Sequence, residues 1–367
     1  MSKIFELYGY RLDCWNDEAE QNMRRVWCPF MDAECDGGGN RFQSAIDLQN
    51  NSCLKDKIPN KKIIQVGVCS LITRKGEKPW IVCPRRLLSL KGGILSTKQE
   101  FIRERISDAA KLEKNMKYLA WSEVKVKTAS TNNNDEEKSF DYTFDYILSG
   151  VQRKKLNEVA AILNMTAASV QRLATTNGFT LTSKGSDTWI DDFPSDPLVI
   201  IEIMTSSTSG GNKRNRTQIA MACEDAILKG DNHKAPGINY RQVWARMVSQ
   251  LIVKSQVGMA WGGKTIWVVQ DTLADYISKS TGLMLSQYLS NHLDEVNILA
   301  FGYGNVDTFD SIIELRNSVL YAGPISKSGN AFESTGFIDI VKIGAPPPKE
   351  QIWKSLLNKT PIGVWTW

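Results

Sequence analysis

Apolar runs and the polar positions that interrupt them divide the chain into recognisable elements. The most informative run is Pro197 to Gly211, PLVIIEIMTSSTSGG: Leu198, Val199, Ile200 and Ile201 lead into Glu202, then Ile203 and Met204, then a turn of small polar residues. A continuous β-branched run predicts a buried central strand. KTIWVVQD and VNILAFGYG predict two further buried strands, and WIVCP a strand that runs into the basic helix start PRRLL. LAWSEVKVKT alternates and carries Glu123, and SFDYTFDYILSG is a strand on which Asp141 and Asp145, four apart, share a face. STNNNDEEKS between them predicts a polar hairpin loop. Helical spacing appears in KQEFIRERISDAAKLE, in MACEDAILKG, in ADYISKSTGLMLSQYL, and from Tyr240 to about Gly258. In the last, Val243, Trp244, Met247, Val248, Leu251 and Ile252 form the apolar face, and Arg241, Arg246, Gln250 and Lys254 the other.

The segment KKLNEVAAILNMTAASVQRLATTNGFTL reads helix, tight turn, helix. Leu156, Val159, Ala160 and Leu163 line the first helix, and Thr166 is placed to cap the second, which ends at Gly178. That is the outline of a helix-turn-helix, whose second helix offers Ser169, Gln171, Arg172 and Thr175 to a DNA groove; an ordinary helical hairpin has the same pattern. The pattern divides the chain into 1–75, a polar N-terminal region with little to build a core; 76–150, the first part of an α/β core; 151–187, the helix-turn-helix-like insert; 188–305, the second part of the core; and 306–367, which holds a Pro run and two late Trp.

Composition narrows the picture modestly. At 367 residues the chain can bury a large core, and 42% hydrophobic with 23% charged residues is ordinary for a soluble protein. A net charge of +5 is compatible with nucleic acid. No window approaches the roughly 18 apolar residues of a membrane span, and the N-terminus lacks a signal-peptide core, so a cytoplasmic protein is expected. The cysteines matter more. In a reducing compartment Cys28, Cys35, Cys53 and Cys69 predict a tetrahedral thiolate site for zinc or iron, a staple for a region short of core; scattered buried thiols are the alternative. Cys83 and Cys223 read as plain core thiols.

Glu202 carries the chemistry. A carboxylate inside a buried strand is costly unless a metal or a second charge meets it; a strand end reaching solvent is the alternative. The order strand with Glu123, strand with Asp145, strand with Glu202, helix, strand is that of a mixed α/β sheet, and it brings two or three carboxylates to one end of neighbouring strands. Such a cluster suits Mg²⁺ and hydrolysis of a phosphodiester. With only two His, Ser-His and His-zinc chemistry have little to draw on, and neither a Walker run nor a GxGxxG follows a strand.

These segments resemble a known family. The order resembles the PD-(D/E)XK nuclease core, and the cysteine cluster, VCPRRLL, FDYIL, EIMTSSTSG and VWARMVSQLIVKSQ together resemble the NotI-type restriction endonucleases over roughly residues 5 to 280. The resemblance implies an α/β PD-(D/E)XK fold with an N-terminal four-cysteine metal region. It implies a Mg²⁺-dependent, site-specific cut of double-stranded DNA that leaves 5′-phosphates, a homodimer, and a cognate DNA methyltransferase in the same system. It makes Asp145 the metal-binding aspartate, with Asp141 and Asp191 as alternatives, Glu202 the acid of the E-x-K or E-x-Q pair, and Glu123 an accessory acid. Met204 departs from the pattern, standing where Lys or Gln belongs, and a thioether cannot orient water as those groups can. Lys254 on the following helix is the first candidate to replace it, and Lys213 the second. Arg85, Arg86, Lys213, Arg214 and Arg216 are expected on phosphates. A non-catalytic helix-turn-helix DNA binder and a structure-specific repair nuclease are the competing functions.

Overall fold

The computed structural model describes residues 2–39, 44–90, 96–127, 141–326 and 336–341. The expected loop STNNNDEEKS, the C-terminal Pro run and the Trp pair lie outside them. The chain starts with β1 (Lys3–Leu7), β2 (Tyr10–Arg11), helix α1 (Asp17–Arg25), and a short hairpin of β3 (Trp27–Cys28) and β4 (Ala33–Glu34). Asn16 caps α1 by accepting the Ala19 N–H at 2.9 Å. Next come β5 (Ala45–Asp47), α2 (Ser52–Lys57), β6 (Ile63–Gln65), β7 (Val68–Ile72), β8 (Trp80–Ile81) and the one-turn helix α3 (Pro84–Leu87). A four-stranded sheet in the order β2-β1-β7-β8 forms from these, so the boundary expected at 75/76 falls inside one sheet.

The larger sheet follows α4 (Glu100–Ala109). Its strands are β9 (Tyr118–Lys127), β10 (Asp141–Lys155), β11 (Leu181–Lys184), β12 (Asp187–Met204), β13 (Lys264–Gln270), β14 (Val296–Tyr303) and β15 (Leu315–Gly323). Their order is β15-β14-β13-β12-β10-β9, with β11 beside β12. β9, β10 and β12 make an antiparallel meander, whereas β12, β13 and β14 are parallel. The parallel crossovers are made by α7 (Ile219–Lys229) and α8 (Tyr240–Ala260), then by α9 (Asp271–Ser280). Parallel strands covered on both faces need apolar side chains on both, which is why KTIWVVQ and VNILAFGY are so uniformly buried. The molecule is thus a mixed α/β protein with a mostly antiparallel sheet.

Two main cores hold it together. On one face Ile201, Ile203, Ile266 and Leu299 pack against Ile102 and Ile106 of α4 and Leu87 of α3. On the other, Met204, Trp267 and Ile298 pack with α7, α8 and α9, and Ile4, Leu7 and Val68 of the small sheet join the same core. The N-terminal region, expected to be short of core, is therefore built into the main one. No helix among the described residues is long and apolar enough to cross a membrane.

Between β10 and β12, α5 (Leu156–Ile162) and α6 (Ala167–Thr176) pack on the strand ends through Val159, Val170, Ala174 and Ile190. Thr166 caps α6, its hydroxyl accepting the Ser169 N–H at 3.2 Å. With β11 folding back on β12, the insert is two helices and a hairpin, and the paired strands run out to Lys155 opposite Trp189.

Candidate active site

Asp145 owes its position to an irregularity in the meander. Phe144 pairs with Val124 and Tyr146 with Ser122, while Phe144 packs on the α8 side and Tyr146 on the α4 side. Strict alternation would put both on one face, so the pleat slips at Asp145. The residue across from it, Glu123, has a left-handed backbone with φ +52, which is uncommon outside glycine. Such a slip re-aims a side chain. Here the half-buried Asp145 turns toward β12, where its Oδ2 accepts the Ile203 N–H at 2.8 Å.

Glu202 lies one residue before that amide, on the α8 face of β12, and is 2% exposed. The solvent-reaching strand end is thereby excluded. Its partner is Lys254 of α8, whose Nζ lies 2.6 Å from Glu202 Oε2 and donates also to the Thr143 carbonyl at 2.8 Å. The same ammonium faces the rings of Phe144 and Trp267, 5.5 and 6.0 Å from their centroids. The other carboxylate oxygen, Glu202 Oε1, is buried with no hydrogen-bond partner. Burial, and after it the Asp145 charge, push the Glu202 carboxyl up to about 8, although Lys254 and the Asp145 backbone N–H pull the other way.

These groups line one polar cavity of about 520 Å³ with Glu123, Met204 and the α8 residues Gln242, Arg246 and Gln250. Its opposite wall is Arg85 with Gly38 and Gly39. Arg85 donates to Asp36 Oδ2 at 3.0 Å and to the Tyr146 hydroxyl at 3.0 Å. Asp36 also accepts the Gly38 and Gly39 N–H groups at 2.9 and 3.0 Å through Oδ1, closing a turn in which Gly37, Gly38 and Gly39 all have positive φ. Its left-handed backbone is what favours glycine at Gly39, where a Cβ would also meet the Arg85 guanidinium at 2.8 Å and push that flexible side chain aside.

Behind this wall lie four cysteines, one of them not expected. Cys69 and Cys83 share a hydrogen bond that raises the Cys69 thiol and lowers that of Cys83. Cys28 and Cys35, on the β3–β4 hairpin and just beyond it, are near enough to Cys83 to feel its charge. Burial pushes Cys28 up to about 12 and Cys35 well above the usual thiol range. Backbone amides oppose this rise, those of Phe30 and Met31 at Cys28 and of Gly37 at Cys35, and those of Arg85 and Arg86 add to the lowering at Cys83. Cys53 is a correction to the expected set: it is exposed on α2. Cys83, read from the sequence as a core thiol, takes its place because β7–β8 pairing sets it beside Cys69; its backbone N–H bonds the Cys69 carbonyl at 3.2 Å.

Other expected residues lie elsewhere. Arg86 is a second correction: it is fully buried, ion-paired to Glu6 at 3.0 Å and stacked over Phe30, and is out of reach of any phosphate. Arg216 is tied to Glu224 and Asp225 at 3.1 and 2.9 Å. Lys213 and Arg214 are exposed in the loop after β12, and Lys213 does not line the cavity. Asp191 sits at the far end of β12, paired with Arg153, while Asp141 opens β10. Gln171 and Arg172 are exposed on α6 and Ser169 is half-buried there, all at the end of the strands remote from Asp145. Sequence reasoning missed Cys83 and the Asp36 turn. It noted Arg246 and Gln250 only as a polar face; their places eight and four residues before Lys254 were the available signal.

Among the described residues, no three Cys, His, Asp or Glu side chains converge closely enough to hold a metal ion as they stand. The donor types nevertheless suit two different ions. The orphaned Glu202 Oε1 beside Asp145 is an all-oxygen set fit for Mg²⁺, and the four neighbouring thiols are a set fit for zinc or iron. No model of a known protein family matches the chain, and no curated protein matches it.

Proposed function

We propose that the protein is a type II restriction endonuclease, a Mg²⁺-dependent, site-specific deoxyribonuclease with a PD-(D/E)XK core. One observation carries the reading: Asp145, Glu202 and Lys254, remote in sequence, meet in one polar cavity, with Lys254 Nζ 2.6 Å from Glu202. The succession α4, β9, β10, β12, α8, β13 also follows the helix, three-strand meander, helix, strand order of that core. Asp145 and the free oxygen of Glu202 would hold Mg²⁺, with Glu123 at the rim as accessory acid. The ion supplies positive charge to the phosphate and acidifies water. Lys254 takes the place left by Met204: its ammonium comes from the helix rather than the strand and stands beside the same carboxylate. Burial of Glu202 and Lys254 strengthens the attraction between their charges.

On the same reading zinc or iron would be held among Cys28, Cys35, Cys69 and Cys83, fastening the β3–β4 hairpin, which the glycine turn bordering the cavity follows. Double-stranded DNA is the substrate. Two copies are needed to cut two strands, and a methyltransferase of matching specificity is the expected companion. Supercoiled plasmid incubated with Mg²⁺ or with EDTA tests the proposal. Discrete linear fragments only with Mg²⁺ support it. A gel shift without cutting would favour the competing non-catalytic DNA binder, to which Met204 lends support.

A further inference from the structure

On α8, Gln242, Arg246, Gln250 and Lys254 recur every four residues and all line the cavity. That spacing keeps them on one slowly drifting stripe of the helix. The inner end, Lys254, is committed to Glu202 and Thr143. Arg246 lies eight residues earlier, about 12 Å along the axis at 1.5 Å per residue. It is half-buried, yet among the described residues its guanidinium makes no ion pair and no hydrogen bond; only its backbone carbonyl is used, by Ser249. The other arginines near the cavity are engaged: Arg85 by Asp36 and Tyr146, Arg86 by Glu6. A guanidinium cannot shed its charge, and this one stands in the cavity wall free to meet an anion from outside.

We propose that Arg246 anchors a phosphate of the duplex backbone that flanks the one presented to Asp145 and Glu202. This rests on the nuclease reading of the site. The offset of about 12 Å exceeds the 3.4 Å rise per nucleotide of one strand, so Arg246 meets a neighbouring phosphate and not the reacting one. It is a positioning residue: it sets how the strand lies along α8, and the chemistry belongs to the inner end of the stripe. Planar, two-pronged donation to phosphate is what arginine does better than lysine.

The test is duplex affinity as a function of salt, in Ca²⁺, for the wild type, Arg246→Ala, Arg246→Lys and Arg241→Ala. Arg241 is an exposed cation on the same helix that does not line the cavity, and so controls for charge alone. Arg246→Ala is expected to weaken binding on the order of tenfold and to flatten the slope of log K against log salt by about 0.9. Arg246→Lys should restore the slope, and Arg241→Ala should leave it unchanged. With Mg²⁺, the loss in Arg246→Ala should appear as a KM raised on the order of tenfold, and Arg241→Ala should keep the wild-type KM. A wild-type slope in Arg246→Ala, or an equal loss in Arg241→Ala, overturns the proposal and leaves the nuclease reading standing. A wild type that binds no duplex overturns both.

Discussion

Glu202 and Lys254 are the residues on which the proposed chemistry turns. A carboxyl raised to about 8 in the folded chain, against 4.5 when free, stays protonated over that window while its unfolded counterpart does not. In metal-free protein this group therefore supports folding fully below about pH 4.5 and loses that support as pH rises to about 8, by up to ~1.4 kcal/mol per pH unit. Glu202→Gln should remove the slope: melting temperatures in EDTA should fall less steeply across that range than for the wild type, and parallel curves would contradict the assignment. If Lys254 stands in for the missing strand lysine, Lys254→Ala should lower the cleavage rate by about 10²–10³-fold. Lys254→Gln, which keeps a donor, should recover part of it. Wild-type cleavage by Lys254→Ala would show that the ammonium only balances the buried carboxylate.

At the scale of elements, the hairpin β3–β4, strand β7 and the start of α3 bring four thiols behind the cavity wall. Protein purified with its metal should hold one equivalent of zinc or iron by elemental analysis. Cys83→Ser should lose it and Cys53→Ser should keep it; the reverse pattern would restore the set read from spacing. The central strand β12 was legible because its β-branched run has no other use, and α8 because six apolar positions follow one face. Cys83 was not legible, since its neighbours Val82 and Pro84 look like any strand end and its partner is fixed by long-range pairing with β7. The slip at Asp145 was also hidden: FDYTFDYIL alternates well enough to suggest a regular strand, and only the packing of Phe144 and Tyr146 on opposite faces, with the left-handed Glu123 across from Asp145, reveals it. Arg86 looked like a surface cation because nothing local announces Glu6, 80 residues away in sequence, as its buried partner.

At the scale of the whole molecule, the N-terminal sheet and the larger sheet share a core, so the thiol cluster and the carboxylates are parts of one body. The insert stands apart from the site. From Asp145 to Lys155, β10 covers at most about 33 Å at 3.3 Å per residue, which is about ten base pairs of duplex at 3.4 Å each. If α6 touches DNA, it does so away from the cut. Gln171→Ala with Arg172→Ala should then alter affinity or sequence preference and leave kcat at saturating DNA unchanged; a lower kcat would mean that the insert reaches the reacting centre. The most direct measurement is digestion of a phage genome with Mg²⁺ by the wild type and by Asp145→Asn, followed by sequencing of the fragment ends. The wild type should give fragments that share one end sequence, and the variant none. Intact DNA from the wild type across several genomes, or equal cutting by Asp145→Asn, would contradict a phosphodiester-cleaving centre built on Asp145, Glu202 and Lys254.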